Sequence, residues 1–329
     1  MSFMRVMLSR LTKTLLLTIA LLAVCGCQRI PVEKAKALPS HSEQTKATAV
    51  RVAAYKSATK LAELKDSAVK ESSGIVASRS TPGIYWTHND SGDGPFIFAF
   101  DTGGQQRGVW RVANAQARDW EDIAAGPGPQ NGKTYLYIGD TGNNSGNRSE
   151  IVVYRLPEPQ ITSSDATSTK SQPRFTEPAE AIRLRYPRAK HDAEALLVHP
   201  ETGTLYIVTK ETFQNPEVYE AVPPFNTVAP ITLRLLGELD VPSLFGGLIT
   251  GGDISLDGRS IALCDYTQAY ELVLPEGSVD FNTIWKQSLT PIDIGKRKQG
   301  EAIAYRLDGK ALLATSEGSP MPLIQAVRQ

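Results

Sequence analysis

Arg118-Asp119-Trp120-Glu121-Asp122-Ile123-Ala124 has two imperfect copies further along the chain, His191-Asp192-Ala193-Glu194-Ala195-Leu196-Leu197 and Lys298-Gln299-Gly300-Glu301-Ala302-Ile303-Ala304. The match continues past these seven residues. Six positions after each glutamate stand Pro127, Pro200 and Leu307, followed by a Gly-bearing turn and a second apolar run. With the glutamate as anchor, Ser73 and Thr250 take the equivalent position in two further copies, so the five anchors lie 48, 73, 56 and 51 residues apart. Self-similarity at a period near fifty is the signature of propeller blades.

Within each unit, short apolar runs alternate with turn residues, the pattern of an all-β meander with four strands per unit. The fifth unit has only three such runs before the chain stops. An unpaired edge there would template aggregation, and residues 48–55 alternate like a strand that supplies the missing partner. The expected fold is therefore an all-β, five-bladed β-propeller closed by an N-terminal strand, with six blades as the alternative if residues 48–70 belong to another blade. The long second interval is explained by residues 157–178, rich in Pro, Ser and Thr, which read as a solvated surface insertion. In the fourth unit, residues 283–289 read as the outer strand.

The 329-residue chain is 41% hydrophobic and carries 35 basic and 35 acidic side chains. It can fill a sizeable core, and the absence of a basic excess argues against a nucleic-acid polymer as partner. At the N-terminus, Arg5, Arg10 and Lys13 precede an apolar run from Leu15 to Val24 that is too short to span a bilayer. This is the form of a secretory signal. Val24-Cys25-Gly26-Cys27 resembles the lipobox of bacterial lipoproteins, and Cys27 fits the acylated position because the small Gly26 precedes it. The repeat assigns residues 48–329 to the propeller and the composition of residues 28–47 reads as a tether, while the resemblance implies a signal peptide over residues 1–26 and lipidation at Cys27. It also implies a place in the bacterial cell envelope, on the periplasmic face of the outer membrane, the membrane being reached through the lipid anchor. Cleavage would leave 32 basic against 35 acidic side chains and Cys264 as the one thiol besides Cys27. No internal disulfide framework is then available.

In a propeller the first strand of each blade lines the central channel. Ser73, Glu121, Glu194, Thr250 and Glu301 should therefore ring the axis at one level. Three carboxylates in a narrow channel repel one another and lose hydration, which a hard cation relieves. Carboxylate and hydroxyl oxygens suit calcium, and the lack of His or Cys at the anchors argues against zinc or copper. The order Ser, Glu, Glu, Thr, Glu is similar to the Ser-Glu-Glu-Ser-Glu order of the calcium-activated nucleotidases (apyrases), five-bladed propellers with a central calcium, although Thr250 departs from that pattern. That resemblance implies architecture and metal more than activity. His88-Asn89-Asp90-Ser91-Gly92, Tyr137-Ile138-Gly139-Asp140 and Ile151-Val152-Val153-Tyr154-Arg155 also resemble a family of secreted bacterial propellers of mostly unassigned function.

Lys70, Arg118, His191 and Lys298 stand three residues before four of the anchors and should ring the same rim. They would either bind an anionic, phosphorylated ligand beside the metal or serve as counter-charges to the glutamates. Asp90 and Asp140 occupy equivalent loop positions after the second strands and are the candidate catalytic carboxylates for a metal-dependent phosphohydrolase. No Gly-x-Ser-x-Gly elbow, phosphate-binding Gly-x-x-x-x-Gly-Lys loop or His-Glu-x-x-His motif is present. The competing expectation is a non-catalytic propeller that serves as a platform for an envelope protein.

Overall fold

The computed structural model describes residues 54–243, 247–318 and 320–329. Among the described residues, twenty-two strands form five sheets. After β1 (Thr59–Leu64), the first blade is β2 (Ser72–Ala77), β3 (Ile84–Asn89), β4 (Phe96–Asp101) and β5 (Gln106–Arg111). The second is β6 (Trp120–Pro127), β7 (Thr134–Asp140) and β8 (Ile151–Pro157), continued after β9 (Arg174–Phe175) by β10 (Glu180–Arg185). The third is β11 (Ala193–Val198), β12 (Leu205–Thr209) and β13 (Glu217–Ala221), continued after β14 (Ile231–Thr232) by β15 (Arg234–Glu238). The fourth is β16 (Gly251–Ile254), β17 (Ser260–Cys264), β18 (Ala269–Val273) and β19 (Thr290–Ile292). The fifth is β20 (Gly300–Tyr305), β21 (Ala311–Ser316) and β22 (Met321–Val327).

The inner strands close a ring: β2 packs on β6, β6 on β11, β11 on β16, β16 on β20, and β20 back on β2. The protein is a five-bladed β-propeller. Every residue of β2, β11, β16 and β20 is buried, because neighbouring inner strands cover both faces. Such proximity demands small residues. A Cβ on Gly74 would lie 2.6 Å from the Ile123 nitrogen, and one on Gly251 would lie 2.5 Å from the Glu301 carbonyl oxygen. Outside the axis, larger side chains fill five wedges between adjacent blades. Trp86, Trp110, Trp120 and Leu136 occupy the wedge between the first and second blades, and Tyr206, Ile261, Leu263 and Trp285 the one between the third and fourth.

The closing strand is β1, antiparallel to β22 with Thr59 opposite Gln325 and Leu64 opposite Met321. Of the expected closing segment, 48–55, residues 48–53 lie outside the described residues; Tyr55 forms an isolated bridge to Arg328, and the Ala54 carbonyl accepts from the Gln329 amide at 2.8 Å. The closure by an N-terminal strand is as expected; β1 itself, Thr-Lys-Leu-Ala-Glu-Leu, gives little pattern in the sequence because half of it is exposed. The signal segment, Cys27 and the tether lie outside the described residues.

One further expectation is refined and one corrected. Residues 157–178 are the expected surface insertion between β8 and β10 and are mostly exposed, but they are not a free loop. A 3-10 turn (Ser163–Thr167) and β9 lie along the outer edge of the first blade, where β9 pairs in parallel with β5. Ser168 Oγ accepts from the Val109 amide at 2.8 Å, and Thr176 Oγ1 from the Ala113 amide at 3.0 Å. In the fourth blade, Phe281–Lys286 is a 3-10 helix rather than the outer strand, with Asp280 accepting from the Asn282 amide and Trp285 buried beneath. β19 follows it as the outer strand.

Candidate metal centre at the channel mouth

All five anchors lie at or just before the start of an inner strand, and each is at most 5% exposed. Four of them sit in β-bulges. Ser72 pairs with Asn89 and Gly74 with His88, so Ser73 is left out of the ladder. Glu121 is skipped between Trp120 and Asp122, and Glu194 between Ala193 and Ala195. In the last blade the irregularity spans Glu301 and Ala302. A bulge bends the strand and re-aims the extra side chain, so the repeat seen in the sequence is a repeat of this device. Thr250 precedes β16 directly, and its hydroxyl donates to the Gly300 carbonyl at 3.1 Å.

Glu121 is drawn into the closest acidic group. One carboxylate oxygen each from Asp90, Asp119 and Glu121 lies within 4.8 Å of the others. Asp90 follows β3, whereas Asp119 and Glu121 flank the first residue of β6. The backbone of Gly142 lies hard against this group, since a Cβ there would sit 2.0 Å from Glu121 Oε1. Any other residue at position 142 would displace the carboxylates.

Burial, followed by the charges of Glu194, Asp90, Asp119 and Asp192, raises the Glu121 carboxyl well above its ordinary range. Burial also raises Asp119, with Asp90 and Asp192 adding to the effect. Glu194 is pushed up to about 8, first by burial and further by Glu301, against the opposing pull of Lys210. Glu301 is pushed up to about 7 by burial, opposed by a hydrogen bond from Gln299 and by Lys210. Glu194 Oε1 is ion-paired with Lys210, yet Glu194 Oε2 is buried with no partner among the described residues. A buried carboxylate oxygen without a partner near further acids is the chemistry of a candidate cation ligand.

The four basic positions do not share one environment. Lys70 and Lys298 line one cavity of about 410 Å³ with Glu71, Gln299 and Glu317. Arg118 is exposed and reaches Asn147 at 3.4 Å. His191 is held between Glu211 (3.1 Å) and Glu217 (3.2 Å), with the Tyr186 ring edge-on against it. The base that acts on the glutamates is instead Lys210. Asp90 and Asp140 also differ, although their loops are equivalent. Asp140 is buried in an ion pair with Arg148 at 2.7 Å and accepts from the Asp119 amide at 3.1 Å.

Sequence reasoning missed Asp119, Lys210 and a deeper pair, Asp122 and Asp253. Asp119 was legible, because Asp-x-Glu recurs as Asp119-Trp120-Glu121 and Asp192-Ala193-Glu194. Asp122 Oδ2 accepts from the amides of Leu196 (3.0 Å) and Gly252 (3.2 Å), tying the second blade to the third and fourth. Asp253 Oδ2 accepts from the Tyr305 amide at 2.9 Å, tying the fourth blade to the fifth. Below the acidic mouth these two carboxylates bridge the inner strands.

No protein-family model matches the chain, and no curated protein matches it in sequence. Among solved structures it is similar to a chain in the crystal structure of a nidogen/laminin complex. The identity is 15%, the TM-score 0.42, and the alignment covers 75% of this chain and 73% of that one.

Proposed function

We propose that the channel mouth binds a calcium ion and, beside it, an anionic ligand such as a phosphate ester, and that the propeller presents this site in the bacterial envelope from a lipid anchor at Cys27. The observation that carries the reading is the convergence of Asp90, Asp119 and Glu121 on one point, next to the orphaned Glu194 Oε2. These oxygens, with Ser73 and Glu301 on the same rim, match the hard-donor set that calcium prefers. Bound there, the ion would neutralise the acids and polarise an oxygen of the anion. Lys70 and Lys298, facing the adjoining 410 Å³ cavity, would hold the far side of the ligand. Of the two carboxylates singled out as bases, Asp90 falls into the ligand set and Asp140 is neutralised by Arg148. The function we assign is therefore calcium-dependent binding rather than hydrolysis.

Calorimetry tests this directly. Calcium should bind the chelator-treated protein, Glu121→Gln should weaken it about tenfold or more, and ligand at about 100 times its Kd should stabilise the fold by roughly 2.7 kcal/mol. A phosphate monoester should then bind the calcium-loaded form and not the metal-free form. Absence of both a binding heat and a melting shift with calcium would remove the reading.

A further inference from the structure

Lys210 follows β12 directly, and its amide donates to the Asp192 carbonyl at 2.9 Å, so its backbone is anchored beside the mouth. Its ammonium is ion-paired with Glu194 Oε1 and lies 5.0 Å from the centre of the Tyr266 ring. The positive charge also acts on Glu301 and Glu317. It is thus a cation in place at the acidic mouth, bound to one oxygen of the carboxylate whose other oxygen is buried and has no partner among the described residues.

We propose that Lys210 is the resident cation of this mouth, that a divalent ion enters by displacing its ammonium from Glu194, and that the exchange makes the site select divalent over monovalent ions. The inference rests on the cation-binding reading given above. Its logic is one of charge. Sodium or potassium replacing the ammonium exchanges one unit charge for one, and forfeits the direct hydrogen bond to Glu194. Calcium adds a second unit of charge among at least four carboxylates, so it alone gains from the exchange. The face of Tyr266, already 5.0 Å from the ammonium, would remain as its partner once Glu194 is given up.

Reductive methylation of the whole protein, read by peptide mass spectrometry, tests the exchange without any substitution. In chelator with sodium or potassium chloride, Lys210 should react slowly. Calcium should raise its labelling about fivefold or more, the scale of a typical coupling between two sites. The exposed Lys133, on the turn between β6 and β7, should not change. Independently, Lys210→Met should bind calcium roughly 5- to 150-fold more tightly and should show a narrower preference for calcium over sodium, because sodium gains more from the loss of its competitor. If calcium binds in a Glu121-dependent manner while Lys210 labelling stays constant, the exchange is wrong and the metal site stands. If calcium does not bind at all, both fall. Should Lys210→Met fail to fold, the labelling of the unsubstituted protein still decides.

Discussion

Glu121, Glu194 and Glu301 show how the same residue type acquires different character from its neighbours. Glu194 has a lysine on one oxygen and none on the other; Glu301 is held by Gln299 at 2.9 Å; Glu121 stands among aspartates. All three carboxyls are raised above the ordinary value of 4.5, so each is less willing to ionise in the fold than in the unfolded chain. The stability tied to that difference is complete below the unfolded value and is lost as pH rises through the folded ones. The metal-free protein should accordingly lose melting temperature between about pH 5 and 9, most steeply between the ordinary value of 4.5 and the value of about 7 for Glu301, and less steeply through the value of about 8 for Glu194. Saturating calcium should flatten that slope, because the ion compensates the carboxylates once they are charged. Thermal melts across this range, with chelator and with calcium, check both statements. A metal-free melting temperature that rises over the window would contradict them.

At the scale of the element, blades are joined by polar side chains as well as by apolar wedges. Glu158, at the end of β8, is 5% exposed and accepts from Ser78 Oγ, the Ser80 amide, Trp86 Nε1 and Thr134 Oγ1. It thereby ties the second blade to β3 and to the turn that follows β2 in the first. Removing the acceptor strands buried donors, each costing about 1–3 kcal/mol. Glu158→Ala should therefore destabilise the propeller by at least about 3 kcal/mol in urea unfolding, whereas Glu177→Ala, on the exposed strap, should be near neutral. The docking of the strap was not legible because its Pro, Ser and Thr content is that of a loop, and composition does not report what a loop lies against. Ser168 and Thr176 become edge-binding residues only through their contacts with the amides of Val109 and Ala113. The inner strands were legible for the opposite reason. Confinement at the axis restricts them to small and apolar residues, and that restriction recurs in every copy.

For the molecule as a whole, closure is the decisive interaction, since β1 and β22 join the two ends of the chain in one sheet. Glu271, in the fourth blade, reinforces the joint by accepting from the hydroxyls of Tyr55 (2.7 Å) and Tyr305 (2.9 Å) and by pairing with Arg328. A chain beginning at Thr48 should melt close to the full-length protein. One beginning at Lys65 should melt well below it and aggregate, because β22 then becomes an open edge. Comparison of the two by calorimetry and size-exclusion chromatography tests closure; equal melting temperatures would refute its importance. The sequence by itself determined the all-β class, the blade repeat and the position of each anchor, because these follow from a repeat whose period and apolar pattern are local properties; five blades rather than six was decided by the ring of inner strands. Only the tertiary structure decided which acids meet. Asp90 reaches Glu121 from another blade, Lys210 reaches Glu194 from a neighbouring strand, and Asp140 is removed from the group by Arg148. Those choices depend on bulges and on blade-to-blade packing, which bring residues far apart in the chain within a few ångströms of one another and leave no periodic trace in the order of the amino acids.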